Sequence, residues 1–152
     1  MTERTKRMLA ELDPKAQPVF EEFLRRLDAA LTGDDQYIVF EGRRTKETQA
    51  AYYAQGRQPL AEVNRLRQIA GLWLLRNEND NRNCITWTMN SKHIAGLAMD
   101  VLPVDGRGNP TWDLAHYRSQ FEIIAACGRA VGLNCGADWV KTPDYPHYEI
   151  KE

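Results

Sequence analysis

Ser91-Lys92-His93-Ile94-Ala95-Gly96-Leu97-Ala98-Met99-Asp100-Val101-Leu102 is the stretch on which the reading of this chain turns. From Leu97 to Val104 it is a nearly unbroken apolar run, closed by Asp105-Gly106, which predicts a strand followed by a turn. Alternate residues of a strand share a face, so Leu97, Met99 and Val101 point to the core while Ala98, Asp100 and Leu102 point the other way. A carboxylate on such a strand is costly to bury unless it is paired or coordinates a metal. His93 lies just upstream of Gly96, whose missing side chain lets the backbone turn and aim the imidazole beside Asp100.

The C-terminus offers the complement. His147-Tyr148-Glu149-Ile150 predicts a last strand in which His147 and Glu149 share one face, opposite Tyr148 and Ile150. Pairing this strand with Leu97–Val104 brings His147 next to Asp100. His93, Asp100 and His147 then supply two imidazoles and a carboxylate, the three ligands of a catalytic zinc with a fourth position open to water. Such an ion lowers the pKa of its water to about 7 and polarises a carbonyl. Asp144, three residues before His147, is the candidate base for that water's proton.

Between these anchors the pattern alternates helix and strand. Asp13-Pro14 or Gln17-Pro18 opens a helix with Phe20, Phe23, Leu24, Leu27 and Leu31 on one face, ended by Thr32-Gly33-Asp34-Asp35. Tyr37–Phe40 predicts a buried strand, and Thr45 caps a helix running through Tyr53 and closed at Gly56. A further helix is expected from Leu60 to Arg76, with Val63, Leu66, Ala70, Trp73 and Leu74 on its apolar side. Asn77–Asn83 reads as a solvated polar loop, since it lacks the glycine and final glutamate of a calcium-binding loop. Ile85–Met89 is another strand candidate. Asp113–Val131 predicts a long helix with Leu114, Tyr117, Phe121, Ile124 and Val131 inward, stopped by Gly132. His116 on that helix reads as structural. The sum is an α+β fold, one domain over residues 1–152, with a small antiparallel sheet carrying the zinc site and about four flanking helices.

Composition bounds the function. The 152 residues are 43% hydrophobic and 27% charged with a formal net charge of −1, so no basic surface argues for nucleic acid. No apolar run approaches a membrane span, and Met8-Leu9-Ala10 is interrupted too early for a secretory signal, which implies a cytoplasmic start. Cys84, Cys127 and Cys135 are odd in number and scattered, and read as reduced thiols.

The pattern Ser91-x-His93-x-x-Gly96-x-Ala98-x-Asp100 with Asp144-x-x-His147 closely resembles the M15 zinc peptidases, which include VanY-type D-alanyl-D-alanine carboxypeptidases and phage L-alanyl-D-glutamate endopeptidases. The ending Asp-x-Pro-His-Tyr-Glu is more similar to the phage branch. Upstream, Glu41-Gly42-Arg43-Arg44-Thr45, Gln49, Tyr53 and Gln55-Gly56-Arg57 resemble the family's Glu-Gly-(aromatic)-Arg-Thr segment with its later Gln and Gly-Arg. The resemblance implies one zinc ion per chain and Arg44 as the cation that stabilises the oxyanion. Ser91 would support the ligand loop or contact substrate. Gln49 joins Ser91, Arg43 and Trp139 as candidate substrate contacts. Arg43 stands where an aromatic is usual, so Arg43 and Arg44 could share or exchange the anion-binding role. Gly136-Ala137-Asp138-Trp139 resembles the segment before the last ligand, making Trp139 a wall of the cleft and Asp138 a partner of the ligands. Cys135 replaces a common Trp.

What the resemblance implies for function is a peptidoglycan stem-peptide endopeptidase of the phage endolysin kind, monomeric and without a wall-binding domain. It would be stored in the cytoplasm until released to the wall of a host with a thin wall and an outer membrane. The close rival is a D-alanyl-D-alanine carboxypeptidase or dipeptidase. Two rivals of other classes are a non-catalytic metal-stabilised wall-binding module and a metal-free muramidase built on Glu41 and Asp100.

Overall fold

The computed structural model describes residues 1–33, 36–86 and 88–152. Asp34, Asp35 and Trp87, which belong to the expected helix stop and to the Ile85–Met89 strand candidate, lie outside the described residues. The chain forms two compact units, residues 1–43 with 95–152, and residues 44–94.

The first unit holds a four-stranded antiparallel sheet: β1 (Tyr37–Glu41), β2 (Ala98–Pro103), β3 (Asn134–Cys135) and β4 (His147–Glu149), in the order β1-β2-β4-β3. This is the α+β class and small sheet expected from the sequence. The Phe20/Phe23/Leu24/Leu27 stripe faces inward from a helix spanning Gln17–Ala30 and buries completely against Val39, Met99, Val101, Ile124 and Tyr148. Burying side chains of this size stabilises by roughly 1.5–3 kcal/mol each, so this core holds the sheet that carries Asp100 and His147. A helix over Leu114–Ala130 is capped by Asp113, whose carboxylate accepts the His116 backbone N–H at 3.1 Å and lies 2.7 Å from the His116 ring. That is the structural role expected of His116.

The unit also contains an unexpected helix, Glu3–Ala10, capped by the Thr2 hydroxyl. Its charge hides a short apolar side, Met8 and Leu9, that packs on the same core. The two-residue β3 and the 3-10 turn Gly136–Asp138 are likewise additions.

The second unit carries helices Lys46–Ala54, capped by Thr45 as expected, and Leu60–Ile69. The latter stops well short of Arg76. Gly71 takes a left-handed φ of +75°, and the Leu72 N–H bonds back to the Arg67 carbonyl at 2.8 Å, closing the last turn. Trp73 and Leu74, expected on the apolar side, are instead exposed, with Trp73 lying over the Arg67 guanidinium. The described residues of Ile85–Met89 form no strand. Their polar groups are taken by side chains: Gln49 Nε2 donates to Thr86 Oγ1 and to the Thr88 carbonyl, and Arg57 donates to the Thr86 carbonyl. The Asn77–Asn83 loop is less solvated than its composition suggests. Asn81 is buried, accepting the Gly56 N–H and donating to the Gln58 carbonyl.

Candidate metal centre

Asp100 and His147 meet because β2 and β4 pair in one register. Ala98 opposes Glu149, Met99 opposes Tyr148 and Asp100 opposes His147. Tyr148 and Met99 fill the core face, fully buried, which leaves Asp100 and His147 on the opposite face. His147 Nδ1 lies 3.3 Å from Asp100 Oδ1. Two ligands about 2.1 Å from one tetrahedral ion stand roughly 3.4 Å apart. Together with buried His93, the three residues each offer a donor atom, and these atoms lie within 4.8 Å of one another.

Electrostatics favour a cation here. Burial pushes the His147 imidazole down, but the hydrogen bond and charge of Asp100, the hydrogen bond to Glu149 and the charge of Asp144 outweigh it. The ring is held above the usual histidine value. A field that favours a proton on a nitrogen favours a divalent ion on the same donors, and two imidazoles with one carboxylate suit zinc. The donor set fits the metal.

Local chain geometry supports each ligand. The Ser91 hydroxyl accepts the His93 N–H at 3.2 Å, so Ser91 braces the ligand loop. The Gly96 carbonyl accepts the Asp13 N–H at 3.0 Å, and the backbones are so close that a Cβ on Gly96 would sit 2.7 Å from that nitrogen. Asp144 occupies the turn into β4: its carbonyl accepts the His147 N–H at 3.1 Å and its own N–H reaches the Gly136 carbonyl at 2.9 Å. The Asp144 residue is exposed. Trp139 stacks obliquely on the His147 ring with centroids 5.1 Å apart.

The two neighbouring arginines differ. Arg43 is exposed, whereas Arg44 is half-buried and held from several sides. Its N–H donates to the His93 carbonyl at 2.9 Å, its guanidinium donates to Gln49 Oε1 at 2.6 Å and lies over the Tyr52 ring. Gln49 itself is fully buried, with both ends of its amide engaged. That corrects its reading as a substrate contact, because no atom of it reaches solute. Asp138 is also corrected: its carboxylate forms a bidentate pair with Arg129, joining the 3-10 turn to the long helix rather than the ligands. The Arg129 bond holds that carboxyl below its usual range. Glu149 is the face-mate of His147 on β4, and strand alternation alone assigns it no partner. It accepts the His147 Nε2–H at 2.8 Å.

Comparison with known proteins agrees with this centre. Residues 85–150 match the family model Peptidase_M15_4, described as D-alanyl-D-alanine carboxypeptidase. No curated protein sequence matches the chain. Among solved structures, the fold is similar to the Serratia marcescens L-Ala D-Glu endopeptidase ChiX (TM-score 0.58, 19% identity, covering 99% of this chain and 89% of that one). A vancomycin-resistance D,D-pentapeptidase VanY variant in complex with Zn(II) also aligns (TM-score 0.43, 18% identity, 91% and 71% coverage). The matched stretch contains His93, Asp100, Asp144 and His147 together, and over it the chain is similar to the M15 peptidase family.

Proposed function

We propose that the chain hydrolyses the L-alanyl-D-glutamate bond of peptidoglycan stem peptides, with residues 1–152 acting as one catalytic domain. The observation that carries the reading is the His93, Asp100 and His147 group with Asp144 on the turn that leads into its last ligand. Likeness to an L-Ala D-Glu endopeptidase over almost the whole chain supports this choice of bond. The carboxypeptidase description of the matched family model supports the rival, release of terminal D-alanine.

Hydrolysis adds water across the amide. Zinc, when bound by the three ligands, supplies Lewis acidity to the water and the scissile carbonyl. Asp144 takes the water's proton and returns it to the leaving amine, so the C–N bond breaks with a neutral amine departing. Arg44 stabilises the negative charge that develops on the carbonyl oxygen. Ser91 holds the loop of His93, and Trp139 limits how His147 can turn. We take the role to be that of a phage or prophage endolysin, made in the cytoplasm and acting at the wall. In that role a monomer suffices, since all the named groups come from one chain.

Mass spectrometry of digested peptidoglycan, with and without chelator, tests this. New amino termini on D-glutamate, lost on chelation and restored by zinc, are the expected result. Free D-alanine instead would select the carboxypeptidase. Cleavage of the glycan that survives chelation would select a muramidase on Glu41 and Asp100, and no product at all a binding module.

Arg44 gives a second expectation. Arg44→Ala should lower kcat by about 10²- to 10³-fold with zinc content unchanged, the scale of losing one oxyanion donor. Gln49→Ala should cost roughly ten- to a hundred-fold, because Gln49 holds the guanidinium in place. Equal rates for Gln49→Ala and the unmodified enzyme would show that Arg44 needs no such anchor.

A further inference from the structure

The His147 ring is held at both nitrogens by carboxylates of its own sheet. Nδ1 faces Asp100 Oδ1 at 3.3 Å, and Nε2 faces Glu149 Oε1 at 2.8 Å. All three side chains are largely enclosed, with 10% of His147, 20% of Asp100 and 16% of Glu149 exposed. Glu149 follows His147 by two positions on the same face of β4, an internal strand whose residue 149 pairs with Ala98 on one side and Asn134 on the other. Backbone bonding on both sides stops Glu149 from sliding along His147.

We propose that Glu149 is a positioning residue: by accepting Nε2–H it makes Nδ1, on the Asp100 side, the nitrogen through which His147 holds the metal. A neutral imidazole has one N–H and one lone pair, and an ionised carboxylate can only accept. The nitrogen against Glu149 therefore carries the proton, and the lone pair is presented to Asp100 and the metal. A carboxylate in this place also raises the basicity of the ligating nitrogen and removes the ring's freedom to flip. Glu149 is thus distinct from Asp144, which moves protons at the substrate, and has no place in the proton steps. The inference rests on the zinc reading of the site.

The test compares the unmodified protein, Glu149→Ala and Glu149→Gln by zinc competition against a chromogenic chelator at fixed pH. Imidazole nitrogen NMR of the zinc-loaded proteins and thermal unfolding without zinc complete it. The unmodified protein should bind one zinc with His147 ligating through Nδ1. Glu149→Ala should bind zinc roughly ten- to a hundred-fold more weakly, while Glu149→Gln, whose amide oxygen still accepts Nε2–H, should recover most of the affinity. Unfolding without zinc separates this from a general loss of structure: the glutamine variant should melt near the unmodified protein. Equal zinc affinity in the alanine variant, or ligation through Nε2 in the unmodified protein, overturns the inference while leaving the zinc site standing. Failure of the unmodified protein to bind zinc overturns the zinc reading itself.

Discussion

Asp144→Ala is expected to lower kcat by about 10²- to 10⁴-fold, the span of a positioned general acid–base group, while zinc content stays at that of the unmodified protein. The two halves of this expectation have separate causes. Asp144 lies outside the three-residue donor group, so its loss removes no ligand. Its backbone makes bonds that shape the turn, to the Gly136 carbonyl and from the His147 N–H. Alanine keeps both, and the exposed position leaves no cavity. What disappears is the carboxylate proposed to accept the water's proton. Asp144→Asn should be nearly as inactive, since an amide fills the same space without basicity. Zinc per chain, measured beside the rate of stem-peptide cleavage, checks the pair. More than about a tenth of the rate surviving in either variant would remove Asp144 from the mechanism. Loss of zinc in step with the rate would make it a ligand instead.

The contrast between what could and could not be read from the sequence comes from the range of the interactions involved. Strand alternation placed Asp100 and His147 on one face, because the opposing Met99 and Tyr148 are apolar and large enough to fix the register. Thr45 was legible as a helix cap because capping is local. The helix expected to reach Arg76 shows the limit. Its apolar spacing continues through Trp73 and Leu74, but Gly71 adopts the left-handed conformation and ends it. Ile85–Met89 has strand-like composition, yet Gln49 and Arg57, distant in sequence, take its polar groups. Gln49 itself was readable as important and not as buried, and Asp138 as near the ligand strand and not as the partner of Arg129. For the strand candidate and for Gln49, the decisive neighbour lies far along the chain.

Gly136→Ala is expected to be the most damaging single-methyl change in the molecule, costing about 3 kcal/mol or more, beyond ordinary overpacking because backbone is what it strikes. A Cβ at this position would overlap the Asp144 carbonyl, and would stand 3.1 Å from His147 Cβ. Neither obstacle is a flexible side-chain end. The Asp144 carbonyl is fixed by the His147 N–H, and the Asp144 N–H is fixed by the Gly136 carbonyl, so the two backbones are tied where the methyl would enter. Relief requires the turn to move, and the turn carries Asp144, the proposed base, and leads into His147 of the donor group. Stability, zinc affinity and turnover should therefore fall together, unlike in Asp144→Ala, where turnover falls alone. Thermal unfolding should show a drop of about ten degrees for a chain of this size. Gly106→Ala is the control, since a Cβ there meets nothing within 4 Å, and it should melt within about 0.5 kcal/mol of the unmodified protein. Gly136→Ala melting and binding zinc like the Gly106 variant would mean that the turn yields freely, and that the close approach of Gly136 to Asp144 does not hold the base in place.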